Sequence, residues 1–130
     1  MAINVKPKNL ELHMPVGDNT LVLVLRPCKT EEVFQYFQKM REIDDENMYD
    51  ASFHGFRFDF IDALLVDIKA LDADGNEERV VYSDPETGED KPLTPKIPDW
   101  TKYIDELHKL RAATQLEQNY LMMESAKLKN

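Results

Sequence analysis

The sequence predicts an α+β fold: an N-terminal β-hairpin packed against amphipathic helices, with a long C-terminal helix and helix as the majority element. Three observations predict it. Leu10, Leu12, Met14 and Val16 alternate with Glu11, His13 and Pro15, the two-residue period of a strand with one buried face. Residues 30–42 carry their apolar side chains at helical spacing. No Gly or Pro interrupts residues 99–130, so nothing there breaks a helix.

In the hairpin, Gly17-Asp18-Asn19-Thr20 supplies the turn, because Gly, Asp and Asn tolerate left-handed backbone. Leu21 to Leu25 is then apolar at every position. A strand apolar on both faces needs cover on both. Helices on one side and self-association on the other would supply it, with Val22 and Val24 as the candidate self-association residues. Pro27 ends the strand, since it has no N–H for a ladder.

Thr30 stands where an N-cap belongs, with Glu31 and Glu32 in the first turn, where the helix dipole favours negative charge. Val33, Phe34, Phe37 and Met40 form the apolar stripe, expected to pack on the hairpin. Asp44 to Gly55 reads as an acidic loop with about one helical turn. Phe56, Phe58 and Phe60 alternate like a strand, but Phe60, Ile61, Leu64, Leu65 and Ile68 fit a helix better, over 57–70. Asp72 to Asp90 holds the turn signals Asp74-Gly75 and Thr87-Gly88 and reads as a small exposed hairpin or loop. Prolines at 92, 95 and 98 make a stiff linker.

From Asp99 a stripe of Trp100, Tyr103, Ile104, Leu107 and Leu110 runs until Arg111-Ala112-Ala113-Thr114-Gln115 interrupts it. Leu116, Tyr120 and Met123 then resume at a rotated angle, beside the adaptable Met122. One compact body cannot bury both stripes. The chain therefore reads as a globular hairpin-plus-helices domain over 1–98, with an acidic middle, and a projecting C-terminal helix over 99–130. Leu116, Tyr120 and Met123, at i, i+4 and i+7, are the candidate partner-binding residues.

Charge is unevenly placed. Residues 42–90 carry sixteen Asp/Glu against three Lys/Arg, a net −13, while residues 1–41 and 91–130 each come to +2. A single-sign block repels polyanions and attracts basic partners. With a pI of about 4.8, nucleic acid is an unsuitable partner, because it is held chiefly through Lys/Arg. No apolar run approaches the roughly 20 residues that span a bilayer, and MAINVKPKNLEL lacks a signal peptide's apolar core. Cys28 is the sole cysteine, which excludes an internal disulfide and points to a reducing compartment.

No residue set has the look of an active site, and no cofactor is expected. An EF-hand loop starting at Asp72 needs Gly at its sixth position and Glu at its twelfth, where this chain has Glu77 and Ser83. His13, His54 and His108 are scattered through three elements, without the close pairing of a zinc site. Four isolated glycines build no phosphate loop. The expected class is an acidic binding or assembly protein without catalytic or metal-binding residues.

The hairpin ending in Leu25-Arg26-Pro27, the acidic helix start Thr30-Glu31-Glu32 and the Phe-rich helix after it together resemble the opening of tail assembly chaperones of long-tailed, lambda-like bacteriophages. The resemblance covers about residues 8–70. It implies a small protein of the bacterial host cytoplasm that coats the helical tape measure protein and keeps it soluble. It also implies help in recruiting the tail-tube subunit, self-association into a homo-oligomer, and absence from the finished virion. It implies no catalytic residues, and no nucleic-acid or membrane partner. Two other readings are a minor structural protein of the head–tail junction and an acidic mimic of DNA that inhibits a nucleic-acid-binding protein.

Overall fold

The computed structural model describes residue 2 and residues 8–118. Two strands open the chain, β1 (Leu10–Val16) and β2 (Asn19–Leu25), and pair antiparallel from Leu10↔Leu25 to Val16↔Asn19. Gly17 at the turn has φ 63°, a left-handed conformation that costs glycine least. Then follow α1 (Thr30–Arg41), a 3-10 turn (Ala51–His54), α2 (Gly55–Leu64) and β3 (Leu65–Leu71). The chain continues through β4 (Glu77–Glu78), β5 (Val81–Ser83), β6 (Asp90–Pro92), a second 3-10 turn (Trp100–Tyr103) and α3 (Glu106–Leu116).

These elements form two compact units, each discontinuous in sequence. Among the described residues, one comprises residues 8–27 with Leu65–Asp105, the other Cys28–Leu64 with residues 106–118. They do not follow a division at residue 98.

The first unit is built on a four-stranded sheet of order β1-β2-β3-β4, with β5 and β6 as a separate hairpin. β2 is paired on both edges, to β1 and to β3. Cross-strand partners share a face, so Leu12, Leu23 and Ile68 lie together, as do Met14, Leu21 and Ala70. The opposite face carries Glu11, Val24 and Asp67 in one row and His13, Val22 and Lys69 in the next. Asp72 then closes the β3–β4 turn, its carboxylate accepting from the N–H groups of Asp74 and Asn76 at 2.9 Å each. The β5–β6 hairpin is tied by Lys91 Nζ and Asp84 Oδ2 at 2.6 Å. Tyr103 stacks on Tyr82 with ring centroids 4.2 Å apart, and Leu93 and Ile104 are buried.

In the second unit α1 begins one residue after Lys29, whose backbone N–H donates to the Glu32 carboxylate at 2.9 Å. Thr30 is thus the first helical residue and not the cap. The fully buried residue of α1 is Tyr36, whereas Phe34 from the predicted stripe is exposed. α3 packs on α2, and its buried face is Lys109, Ala112, Ala113 and Leu116. Lys109 Nζ reaches Asp62 Oδ1 of α2 at 2.8 Å, so the buried ammonium is paired.

Three expectations are corrected. Residues 57–70 are not one helix: α2 ends at Leu64 and β3 starts at Leu65. Pairing with the open edge of β2 claims Leu65–Leu71, and the β-branched Val66 and Ile68 suit a strand. No long C-terminal helix runs from Asp99. Asp99 is left-handed at φ 54°, and Ile104 is extended at ψ 127°. Tyr103 and Ile104 are held in the first unit, so helix resumes only at Glu106, after Asp105, a residue suited to an N-cap. Helix is not clearly the majority element either, at 38% of the described residues against 26% strand. The fold is α+β, with helix and strand of comparable weight.

The Ala112-Ala113 segment, which breaks the apolar stripe in sequence, is the inward face of α3. Side chains this small allow close approach of a neighbouring helix, which a larger residue would prevent. Ala113→Leu should therefore lower stability by about 1–3 kcal/mol through overpacking, while Thr114→Leu on the exposed side should change it by less than about 0.5 kcal/mol. Urea unfolding followed by circular dichroism checks the contrast.

Candidate functional site

The second unit holds a polar network inside an aromatic cluster. Tyr36 of α1 lies 5.0 Å from Phe56 and 4.5 Å from Phe60 of α2, centroid to centroid. Its hydroxyl donates to Glu117, one residue past α3. The same carboxylate oxygen accepts from Arg57 Nε at 2.7 Å, and both side chains of this ion pair are largely buried. The Arg57 guanidinium also lies 4.9 Å from the Phe56 ring centroid and donates through Nη1 to His54 Nδ1. His54 Nε2 donates in turn to the Met48 carbonyl at 2.6 Å. A guanidinium can only donate and a carbonyl can only accept, so these contacts use Nδ1 as the acceptor and Nε2–H as the donor. Burial, then the hydrogen bond and charge of Glu117, push the Tyr36 hydroxyl well above the ordinary tyrosine range. It therefore stays a donor.

Next to this network the segment 42–59 presents acids and apolar groups together. Asp44 accepts from the backbone N–H of Glu46 and Asn47. Asp50 accepts from the Ser52 hydroxyl at 2.7 Å and its N–H at 3.0 Å, which holds the Asp50 carboxyl below the usual range. Local bonds of this kind fix acidic loops as turns. Between them Tyr49 is 94% exposed, with Met48 and Phe53 also at the surface. An open groove of about 460 Å³ lies here, lined by Lys39 of α1, by Glu42 just past its end, by Ser52 and Phe53, and by Gly55, Phe56 and Asp59 of α2.

The residues singled out by sequence fall elsewhere. Val22 and Val24 are 2% and 7% exposed. Lys69 and Glu11 approach to 3.5 Å across β2, on the face where these valines lie, so neither valine offers an apolar surface to a second copy. Leu116 is 2% exposed and packed inward on α3; Tyr120 and Met123 lie outside the described residues. Leu116 thus belongs to the fold and not to a docking stripe. His13 belongs to the first unit, and His54 and His108 to the second. Among the described residues no group of three or more His, Cys, Asp or Glu is placed to hold a metal ion, and no helix is long and apolar enough to cross a membrane.

Sequence reading missed the Tyr36–Glu117–Arg57 network, because its partners stand 81 and 60 residues apart. Only the three-residue spacing of His54 and Arg57 was a local signal. No protein-family model, curated protein or solved structure matches the chain.

Removing one partner of a largely buried ion pair leaves an uncompensated charge, so Arg57→Met should cost about 3 kcal/mol. The raised Tyr36 hydroxyl fixes a pH dependence. Its stabilisation is complete below the unfolded-chain value of about 10 and is lost as pH rises above it, because only the unfolded chain then releases the proton easily. The stability difference between wild type and Tyr36→Phe should therefore be constant from pH 7 to about 10 and shrink above that. Urea denaturation at a series of pH values measures it; a difference that grows with pH would contradict the assignment.

Proposed function

We propose that this protein is an assembly chaperone that binds an extended helical partner and does no chemistry of its own, and that the partner is a phage tape measure protein. One observation carries the reading: apolar side chains at the surface of the acidic segment, Met48, Tyr49 and Phe53, within residues that hold six Asp/Glu and one Lys/Arg over 42–59. Exposed apolar groups rimmed by charge mark protein-binding surfaces. The single cation there, Arg57, is already engaged by Glu117. A partner rich in Lys and in apolar helical faces meets both features.

The resemblance of Leu25-Arg26-Pro27, Thr30-Glu31-Glu32 and the following Phe-rich helix to tail assembly chaperones supports the choice of partner. On this reading the protein works in the host cytoplasm, self-associates, assists recruitment of the tail-tube protein and is left out of the virion. Leu107 and Leu110, exposed on α3, extend the surface available to partners in the second unit.

Co-expression with the tape measure protein of the same phage tests the proposal. The tape measure should move from the pellet to the soluble fraction and co-purify with this chain, with recovery falling as salt rises, because exposed charges are screened within about 8–10 Å. A tape measure equally insoluble with and without the chain would contradict it.

A further inference from the structure

We propose that the groove between the end of α1 and the start of α2 is the docking site, and that its occupant is a partner helix with apolar anchors on one face and Lys or Arg beside them. The inference rests on the binding role above and assigns it a place.

The groove sets aromatic rings beside charge. Phe53 and Phe56 are its apolar lining and Glu42 and Asp59 its acids, with the Lys39 ammonium 3.8 Å from the Glu42 carboxylate and Asp59 left to face a partner. Phe56 is held from within by Tyr36 and the Arg57 guanidinium, both bonded to the Glu117 carboxylate. Phe53 is set by the turn that Asp50 fixes, its N–H donating to the Asp50 carbonyl at 3.1 Å. A lining anchored in this way loses little freedom when a ligand arrives. Gly55 faces open space, with nothing within 4 Å of where a Cβ would stand, so backbone as well as ring is accessible there.

Charge selects the occupant. Residues 39–59 hold six acids against Lys39, Arg41 and Arg57, with Lys39 engaged by Glu42 and Arg57 by Glu117, so the surroundings stay net negative, repel acidic chains and a second copy of this face, and attract cations. An aromatic lining in net negative surroundings is complementary to a basic amphipathic helix, which sets apolar side chains at i, i+3 and i+4 into a groove. Among its described residues the second unit has no strand edge to offer, which disfavours an extended peptide added as a strand.

Fluorescence anisotropy of the full chain tests this with two labelled amphipathic peptides, one of leucine and lysine and one of leucine and glutamate. The lysine peptide should bind, and the glutamate peptide should bind at least about tenfold more weakly. Phe53→Asp, at a position 40% exposed, should weaken the lysine peptide about tenfold or more, as loss of a central aromatic anchor does. Glu42→Lys with Asp59→Lys, both exposed, should do likewise, with circular dichroism showing each variant folded. Equal binding of both peptides, or unchanged binding by both variants, would overturn the proposal. So would a dimer that Phe53→Asp dissociates, which would make the occupant a second copy. The same variants co-expressed with tape measure separate the two claims. If wild type and variants keep it equally soluble, the chaperone role stands and the groove is wrong; if wild type fails to, the role itself is wrong.

Discussion

The pairing of β2 on both of its edges is the constraint on which the rest of the structure depends. Leu21–Leu25 is apolar on both faces, and a strand of that kind is stable only inside a sheet. β1 directly precedes it through a two-residue turn, but the other edge must be filled by chain from elsewhere. Leu65–Leu71 fills it, running from Leu25↔Leu65 to Thr20↔Leu71 with an irregularity at Val24/Leu25. The chain therefore leaves the sheet at Pro27, builds α1 and α2 in the second unit, and returns at Leu65 without a loop. It leaves again after Asp105 to add α3. The discontinuity of both units follows from this one strand.

The acidic block divides into structural and available charge. Asp44, Asp50, Asp72 and Asp84 each accept backbone N–H groups two residues ahead, so several acids open turns. Asp84 is also held below the usual carboxylate range, first by Lys91 and then by the N–H of Glu86. At Asp72 the carboxylate that would lead a metal loop closes the β3–β4 turn. Glu42 and Asp59, in contrast, line a groove beside aromatic rings. In the sheet, Val22 and Val24 are buried, on the face where Glu11 and Lys69 approach to 3.5 Å.

What sequence reveals here depends on the range of the interaction. The β1–β2 hairpin, α1 and the turns at Asp74-Gly75 and Thr87-Gly88 were legible because turn chemistry and periodicity act over a few residues. β3 was not, because Leu64, Leu65 and Ile68 satisfy helical spacing and only the open edge of β2 decides against it. The C-terminal segment misled for a related reason. A helical pattern from Trp100 to Leu110 is real, but Tyr103 pairs with Tyr82 and interrupts the helix for a long-range contact. Lys109, Ala112 and Ala113 form a buried face that hydropathy does not mark, since a paired lysine and two alanines score as polar or neutral. Of the groove, the acids and phenylalanines were visible in sequence; their convergence was not, because it depends on how the turn over 51–54 brings the start of α2 beside the end of α1.

Hydrogen–deuterium exchange of the chain, alone and in complex with tape measure, tests most directly the claim that the helical unit carries recognition. Amide exchange over residues 42–59 should slow on complex formation, with residues 10–25 unchanged. Protection confined to the β1–β2 hairpin, or no protection over 42–59 in a complex that demonstrably forms, would contradict the account.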